Sequence, residues 1–172
     1  MKINFKALVL WYMPIALSIL FEIIFTNFRS YNIKNLIENG LTLTSILIVI
    51  SFIKSGLFKT ILSTIIFTTF TISLTIESLY FYVFDTYFSS SAIFIFIETN
   101  SKEVEEFLLN YLNLNSLLFI GLNLILIVWF CYSRKLIFEI SKPIKPVYKL
   151  VAFFLIMTIL FITGYYFTNL QY

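Results

Sequence analysis

Five long apolar stretches dominate this chain and exclude a water-soluble fold. A helix needs about 20 residues to cross about 30 Å of hydrocarbon, and five stretches meet or approach that length: 7–26, 36–53, 60–84, 114–132 and 150–167. Hydrophobic residues make up 60% of the 172 residues and charged residues only 12%. So small a core could not hold that much apolar surface. The sequence therefore predicts an all-α integral membrane protein with five transmembrane helices.

The charged residues between the stretches predict the direction of insertion. If the N-terminus is cytoplasmic, the outer segments hold Arg29, Lys34 and Lys102 as their only basic residues. The inner segments then hold Lys2, Lys6, Lys54, Lys59, Arg134, Lys135, Lys142, Lys145 and Lys149. Cytoplasmic loops carry the excess of Lys and Arg in membrane proteins. We therefore expect a cytoplasmic N-terminus and, after five crossings, a C-terminus on the outer side.

Composition also excludes several kinds of function. The chain contains no histidine, which is the commonest metal ligand and the commonest general base. Its basic residues flank the apolar stretches and form no continuous stripe, so we expect no nucleic-acid partner. We predict no metal site, cofactor site or catalytic residue within these residues.

Two carboxylates, Glu22 and Glu77, lie inside predicted spans. At 1.5 Å per residue, each lies about 24 to 27 Å from the cytoplasmic edge of its helix, near the outer interface. Ionisable residues inside a membrane are candidates for function. Two interpretations remain open: the acids are wetted by lipid headgroups, or they line an outward-facing lipid cleft.

The third predicted span carries threonines at helical spacing. They are Thr60, Thr64, Thr68, Thr71 and Thr75. Such a face is typical of helix packing with hydrogen bonding to the backbone. The alternative is a polar conduit.

The outer segment, residues 85–113, contains two predicted helical parts. Ser89, Ser90 and Ser91 can cap a short apolar helix that ends at Ile97 and is too short to cross the bilayer. A second, amphipathic helix begins at Asn100, and its apolar residues are Val104, Phe107, Leu108, Tyr111 and Leu112. We expect its apolar side to rest on the membrane surface.

Glu103 has two compatible interpretations. With Asn100 it fits a capping box, in which each side chain satisfies a backbone amide at the start of the helix. Beside Thr99 at headgroup level, its carboxylate would also attract a cationic headgroup such as ethanolamine, since a close ion pair is stronger there than in bulk water.

Residues 89–108 read SSSAIFIFIETNSKEVEEFL. This run, placed after the third of five spans, resembles the extracytoplasmic segment of bacterial phosphoethanolamine transferases, which belong to the sulfatase and alkaline-phosphatase superfamily. The pattern of that family is a threonine, an Asp or Asn, two variable residues and a glutamate, and Thr99, Asn100 and Glu103 match it. Ile95 stands where many members have an asparagine. The resemblance implies that Thr99 and Glu103 bind the lipid substrate.

The resemblance also implies a place and a reaction. The chain would be the anchoring and substrate-binding domain of an enzyme of the bacterial inner membrane. That enzyme would move phosphoethanolamine from phosphatidylethanolamine to lipid A, a modification that confers polymyxin resistance, or to another envelope glycan. The threonine nucleophile and the zinc would lie in a soluble periplasmic domain of the same polypeptide, after residue 172. Thr99 has no evident base, so these residues would not be catalytic by themselves.

Two other kinds of protein remain as alternatives. The first is a small, non-enzymatic integral membrane protein that scaffolds or regulates an envelope complex through its outer helices. The second is a transporter fragment, which the sequence favours less because no span centre carries a charge and no inverted repeat is visible.

Overall fold

The computed structural model describes residues 5–26, 30–53, 56–86 and 111–133, together with residues 150, 151, 153, 154, 157 and 158. This part of the chain forms four long α-helices: α1 (Phe5–Phe25), α2 (Ser30–Phe52), α3 (Leu57–Phe84) and α4 (Leu114–Tyr132). Each is long and apolar enough to cross a membrane. The prediction of a helical, multi-pass membrane protein is confirmed at that level.

The fifth span and the outer insertion stay predictions. The described residues between 150 and 158 are helical, and the Thr158 hydroxyl donates to the Phe154 carbonyl at 2.7 Å. The two helices expected within the outer segment fall almost wholly outside the described residues.

Helix α2 differs most from its predicted bounds. It begins at Ser30 instead of residue 36, whereas α4 has the predicted bounds. The additional turns carry Lys34, whose ammonium lies 3.9 Å from the carboxylate of Glu38 one turn later. Such pairs support a helix where hydropathy is low. Lys34 therefore belongs to a helix and not to the predicted outer loop.

Consecutive helices run in opposite directions, and α1 lies in the centre of the described bundle. Helix α1 contacts the other three helices, and α3 also contacts α4. Glu22, near the end of α1, bonds to Asn32 near the start of α2, and Asn113, just before α4, bonds to Tyr82 near the end of α3. Helices α1 and α3 thus end where α2 and α4 begin. We call this the segment end of the bundle, because the outer segment leaves from it.

Three aromatic rings fix α1, α3 and α4 in the half of the bundle away from the segment end. Phe67 stacks on Phe130 with ring centroids 3.7 Å apart. Trp11 packs edge-on against both rings, at 5.4 and 5.0 Å. Each such pair contributes about 0.5 to 1.5 kcal/mol beyond the burial of its area.

Polar side chains share the inside of the bundle with apolar ones, whereas its outside carries many large apolar side chains. On α4, Ser116 and Asn123 are buried while Leu118 and Ile125 are 57% and 66% exposed. Lipid is as apolar as leucine, so burying leucine provides no driving force within a bilayer. Polar groups, in contrast, are costly in lipid and face the protein interior. This distribution is typical of a bundle that is surrounded by hydrocarbon.

Helix α3 uses its threonines for backbone hydrogen bonding, as predicted. Four of the predicted hydroxyls donate to the carbonyl four residues earlier, at 2.8 to 3.2 Å. They belong to Thr60, Thr64, Thr71 and Thr75. These bonds satisfy the hydroxyl donors within the helix itself. The threonine face of α3 can therefore lie against apolar neighbours.

Candidate functional site

A buried carboxylate joins three helices near the segment end. Glu22 is 1% exposed. Asn32 Nδ2 donates to its Oε2 at 2.7 Å, and Ser78 Oγ donates to its Oε1 at 2.9 Å. The Ser18 hydroxyl forms a short hydrogen bond with that of Ser78. We call Ser18, Glu22, Asn32 and Ser78 the Glu22 cluster.

The structure places Glu22 near the end of α1, and its side chain is 1% exposed, which contradicts wetting by headgroups; the alternative interpretation, a lipid cleft, stays a prediction. Glu22 lies three residues before Phe25, the last residue of α1, and yet its side chain is buried among helices. The early start of α2 explains the difference, because it places Asn32 inside a helix that packs on α1. The partners lie 10 and 56 residues away along the chain, so local sequence patterns do not reveal them.

Glu77, the second predicted acid, is half-buried on α3 beside Ser78 of the Glu22 cluster. Its predicted contact with lipid stays a prediction. Glu22 itself accepts a hydrogen bond on each carboxylate oxygen. A buried acid with both oxygens satisfied holds its neighbours in register. The Glu22 cluster thus fixes the helices that support the segment end.

Aromatic side chains pack against one another near the segment end. Phe21 stacks on Phe119 with centroids 4.1 Å apart and meets the edge of Tyr82 at 5.3 Å. Phe25 lies 6.2 Å from Tyr82, with the rings inclined at 76°. These contacts hold the ends of α1, α3 and α4 together.

Asn113 connects the two ends of the outer segment. Its Oδ1 accepts the Ser116 backbone N–H at 3.0 Å and caps α4, while its Nδ2 donates to the Tyr82 hydroxyl at 2.6 Å. The two ends of the segment are therefore tied to each other. Asn113 was not among the predicted functional residues, although an asparagine directly before an apolar helical run is a signal for an N-cap.

An open groove of about 380 Å³ lies beside this aromatic cluster. Its lining consists of Ile24, Phe25, Thr26, Phe81, Tyr82 and Asp85. Asp85 ends α3 in the left-handed conformation, with φ 51° and ψ 27°. Its backbone N–H donates to the Phe81 carbonyl at 2.9 Å, which fixes the position of the Asp85 backbone at the edge of the groove.

The residues predicted to bind substrate, Thr99 and Glu103, lie outside the described residues. Their role stays a prediction. Within the described parts, no three His, Cys, Asp or Glu residues come together as metal ligands would. No family model, curated protein or solved structure matches this chain.

Proposed function

We propose that this chain is the membrane-anchoring and lipid-binding domain of a phosphoethanolamine transferase. The enzyme moves phosphoethanolamine from phosphatidylethanolamine to lipid A or another envelope glycan. Thr99 and Glu103 contact the phospholipid headgroup. A periplasmic domain of the same polypeptide supplies the zinc and the threonine nucleophile, and the present residues position the lipid.

The observation that carries this proposal is the hydrogen bond between Asn113 and Tyr82. It ties together the two ends of the segment that contains the Thr99, Asn100 and Glu103 pattern. We propose that the segment between these ends lies near headgroup level, where a phospholipid headgroup can reach it. The Glu22 cluster joins α1, α2 and α3 near the segment end, from which this segment leaves the bundle.

We place the protein in the bacterial inner membrane with its N-terminus in the cytoplasm. This proposal depends on the distribution of Lys and Arg between the predicted segments. In this orientation the segment end, the outer segment and the C-terminus face the periplasm. The phospholipid site and the proposed catalytic domain would then share one compartment.

The test is mass spectrometry of envelope lipids from cells that express the intact gene product. Lipid A with added phosphoethanolamine is expected for the unaltered protein. We expect Glu103→Ala to reduce this product at least about tenfold, because loss of a charged partner at a buried or preorganised site typically costs about 1.5 to 3 kcal/mol. Membrane abundance, followed by immunoblot, should not change.

Glu105→Ala is the matched control, since it removes the same charge from the same predicted helix but lies outside the pattern. Unchanged modification in Glu103→Ala would remove Glu103 from the site. If the unaltered protein modified no envelope lipid or glycan, the transferase proposal would be wrong and the scaffold alternative would take its place.

A further inference from the structure

We infer that α1 and α3 bind an ordered water molecule between them, which joins the indole N–H of Trp11 to the hydroxyl of Ser63. We call this place the Trp11 site. It lies in the half of the bundle away from the segment end. The inference therefore goes beyond the proposed function and holds for either orientation of the protein.

Two fully buried polar groups lack a hydrogen-bond partner among the described residues. They are Nε1 of Trp11, which is 1% exposed, and Oγ of Ser63, which is 0% exposed. An unpaired polar group is costly inside a protein, and the hydrocarbon around this bundle offers it no alternative partner. In native proteins, buried polar groups of this kind are commonly paired by an ordered water molecule.

Ser63 does not use the partner that other hydroxyls of α3 use. The hydroxyls of Thr64 and Thr71 donate to the carbonyl four residues earlier, at 2.9 and 2.8 Å. Ser63 forms no such bond within the described part of the chain. Its hydroxyl can therefore both donate to and accept from a guest between the helices.

The register between α1 and α3 brings the two unpaired groups together. Trp11 contacts Phe67 with ring centroids 5.4 Å apart, and Glu22 accepts a hydrogen bond from Ser78. Glu22 follows Trp11 by 11 residues, and Ser78 follows Phe67 by the same 11, so the two helices run parallel and in step. Ser63 lies one turn before Phe67 on the buried face of α3. Because helical side chains lean toward the N-terminus of their helix, the indole leans toward the turn that carries Ser63.

The neighbouring phenyl rings do not accept the indole N–H. Phe67 and Phe130 stack with centroids 3.7 Å apart, so each ring covers the inner face of the other. The Trp11 ring is nearly perpendicular to both, and its centroid lies 5.4 and 5.0 Å from theirs. Two such similar distances place the indole beside the stack, at the ring edges, and not over an outer face. An N–H···π bond to either ring is therefore excluded as the missing partner.

The size and chemistry of the Trp11 site favour water. The same register places the buried Ala7 opposite Ser63, so two small side chains face each other one turn from the large rings. A bridging water separates its two partners by about 5.5 to 6 Å, close to the rise of one helical turn. Water can accept from the indole, which only donates, and can pair with the serine hydroxyl in either direction. The competing ligand is a small anion, because Lys59 lies one turn before Ser63 on the same buried face.

The experiment is a crystal structure of the full chain at a resolution that shows ordered water. We expect one density peak within about 3.2 Å of both Trp11 Nε1 and Ser63 Oγ, and we expect Ser63→Ala to remove it. A direct bond between the two atoms, a site without density, or density that persists in Ser63→Ala would overturn the inference. Crystals grown with bromide in place of chloride separate the competing ligand, since an anomalous peak at the site would assign it to an anion and overturn the inference.

A pair of substitutions tests the bridge in solution. Replacement of Trp11 by benzothienylalanine exchanges the indole N–H for sulphur and keeps the shape of the ring. We expect Ser63→Ala to lower the SDS fraction at half-unfolding of the unaltered protein, but to cause no further decrease in the benzothienylalanine protein, because the bridge is already lost. Ser45→Ala is the matched control, since the buried Ser45 donates to the Leu41 carbonyl at 2.9 Å, and its effect should be the same in both backgrounds. Equal effects of Ser63→Ala in the two backgrounds would overturn the inference.

Discussion

Ser78 on α3 donates a hydrogen bond to Glu22 on α1 across 2.9 Å, inside a bundle whose outside is covered with apolar side chains. The same carboxylate accepts a second bond from Asn32 on α2. One acid thus connects three consecutive helices. It lies next to the segment end, so it stabilises the helices from which the segment with the proposed lipid site leaves.

Removal of the Glu22 carboxylate should destabilise the bundle. Glu22→Ala leaves the buried donors of Asn32 and Ser78 without their acceptor, and an unsatisfied buried donor costs about 1 to 3 kcal/mol. We expect a loss of about 2 kcal/mol in the free energy of unfolding. The measurement is unfolding of the chain in mixed micelles by increasing SDS, followed by the fluorescence of its tryptophans.

Glu38→Ala is the control for this prediction. Within the described ranges, the contact given for Glu38 is an i,i+4 pair with Lys34 at 3.9 Å, so its removal should cost less than about 0.5 kcal/mol. If the two variants unfolded at the same SDS fraction, the Glu22 cluster would have no special role in stability.

The bond between Asn113 and Tyr82 should couple the two ends of the outer segment. Tyr82→Phe removes the hydroxyl and keeps the ring, and we expect it to cost about 0.5 to 1 kcal/mol. Asn113→Ala removes both that bond and the cap of α4, and should cost about 1 to 2 kcal/mol. The readouts are the free energy of unfolding and the rate of proteolysis within residues 87–110.

The double variant tests whether the two residues act through one bond. Once Asn113 is alanine, Tyr82→Phe should have no further effect, since the bond is already absent. If the losses in the free energy of unfolding were additive, each side chain would stabilise the protein independently. The hydrogen bond between Asn113 and Tyr82 would then not connect the two ends of the segment.

The orientation can be tested with single cysteines in a Cys131→Ser background. Thr86→Cys places a thiol at the segment end, and Gly56→Cys places one between α2 and α3 at the opposite end. A side chain at residue 56 meets no atom within 4 Å, and its φ of 163° is ordinary extended backbone. We therefore expect cysteine to be tolerated there.

A maleimide that cannot cross the inner membrane should label Thr86→Cys in spheroplasts. Gly56→Cys should react only after the membrane is permeabilised. The reverse pattern would place the segment end in the cytoplasm. It would contradict the proposed periplasmic location.

Hydropathy predicted the helices well because it measures the property that the bilayer selects. The apolar stretch 114–132 became α4 without a change of bounds, and α3 extends from Leu57 to the predicted end at Phe84. It failed at the start of α2, where Lys34 and Glu38 lower the local hydropathy but form a helical pair. The length of a helix and the length of its apolar stretch are separate quantities, and hydropathy reports only the second.

The environment of the intramembrane acids could not be predicted in the same way. The depth of Glu22 follows from counting residues, but its burial depends on Asn32 and Ser78, which reach it through tertiary packing. The groove between Thr26 and Asp85 likewise combines residues from the ends of two helices that are far apart in the chain. Only the threonines of α3, whose partners are local, were interpreted correctly from spacing alone.

The distribution of side chains on α4 has a practical consequence for anyone who wishes to handle this protein without detergent. Its inward positions, such as Asn123 and Ser116, already carry groups that tolerate water, while Leu118, Leu124 and Ile125 point away from the other helices. A redesign for aqueous buffer would exchange only the outward-pointing residues for Glu, Lys and Gln. The hydrogen bonds and ring contacts between helices would need no alteration.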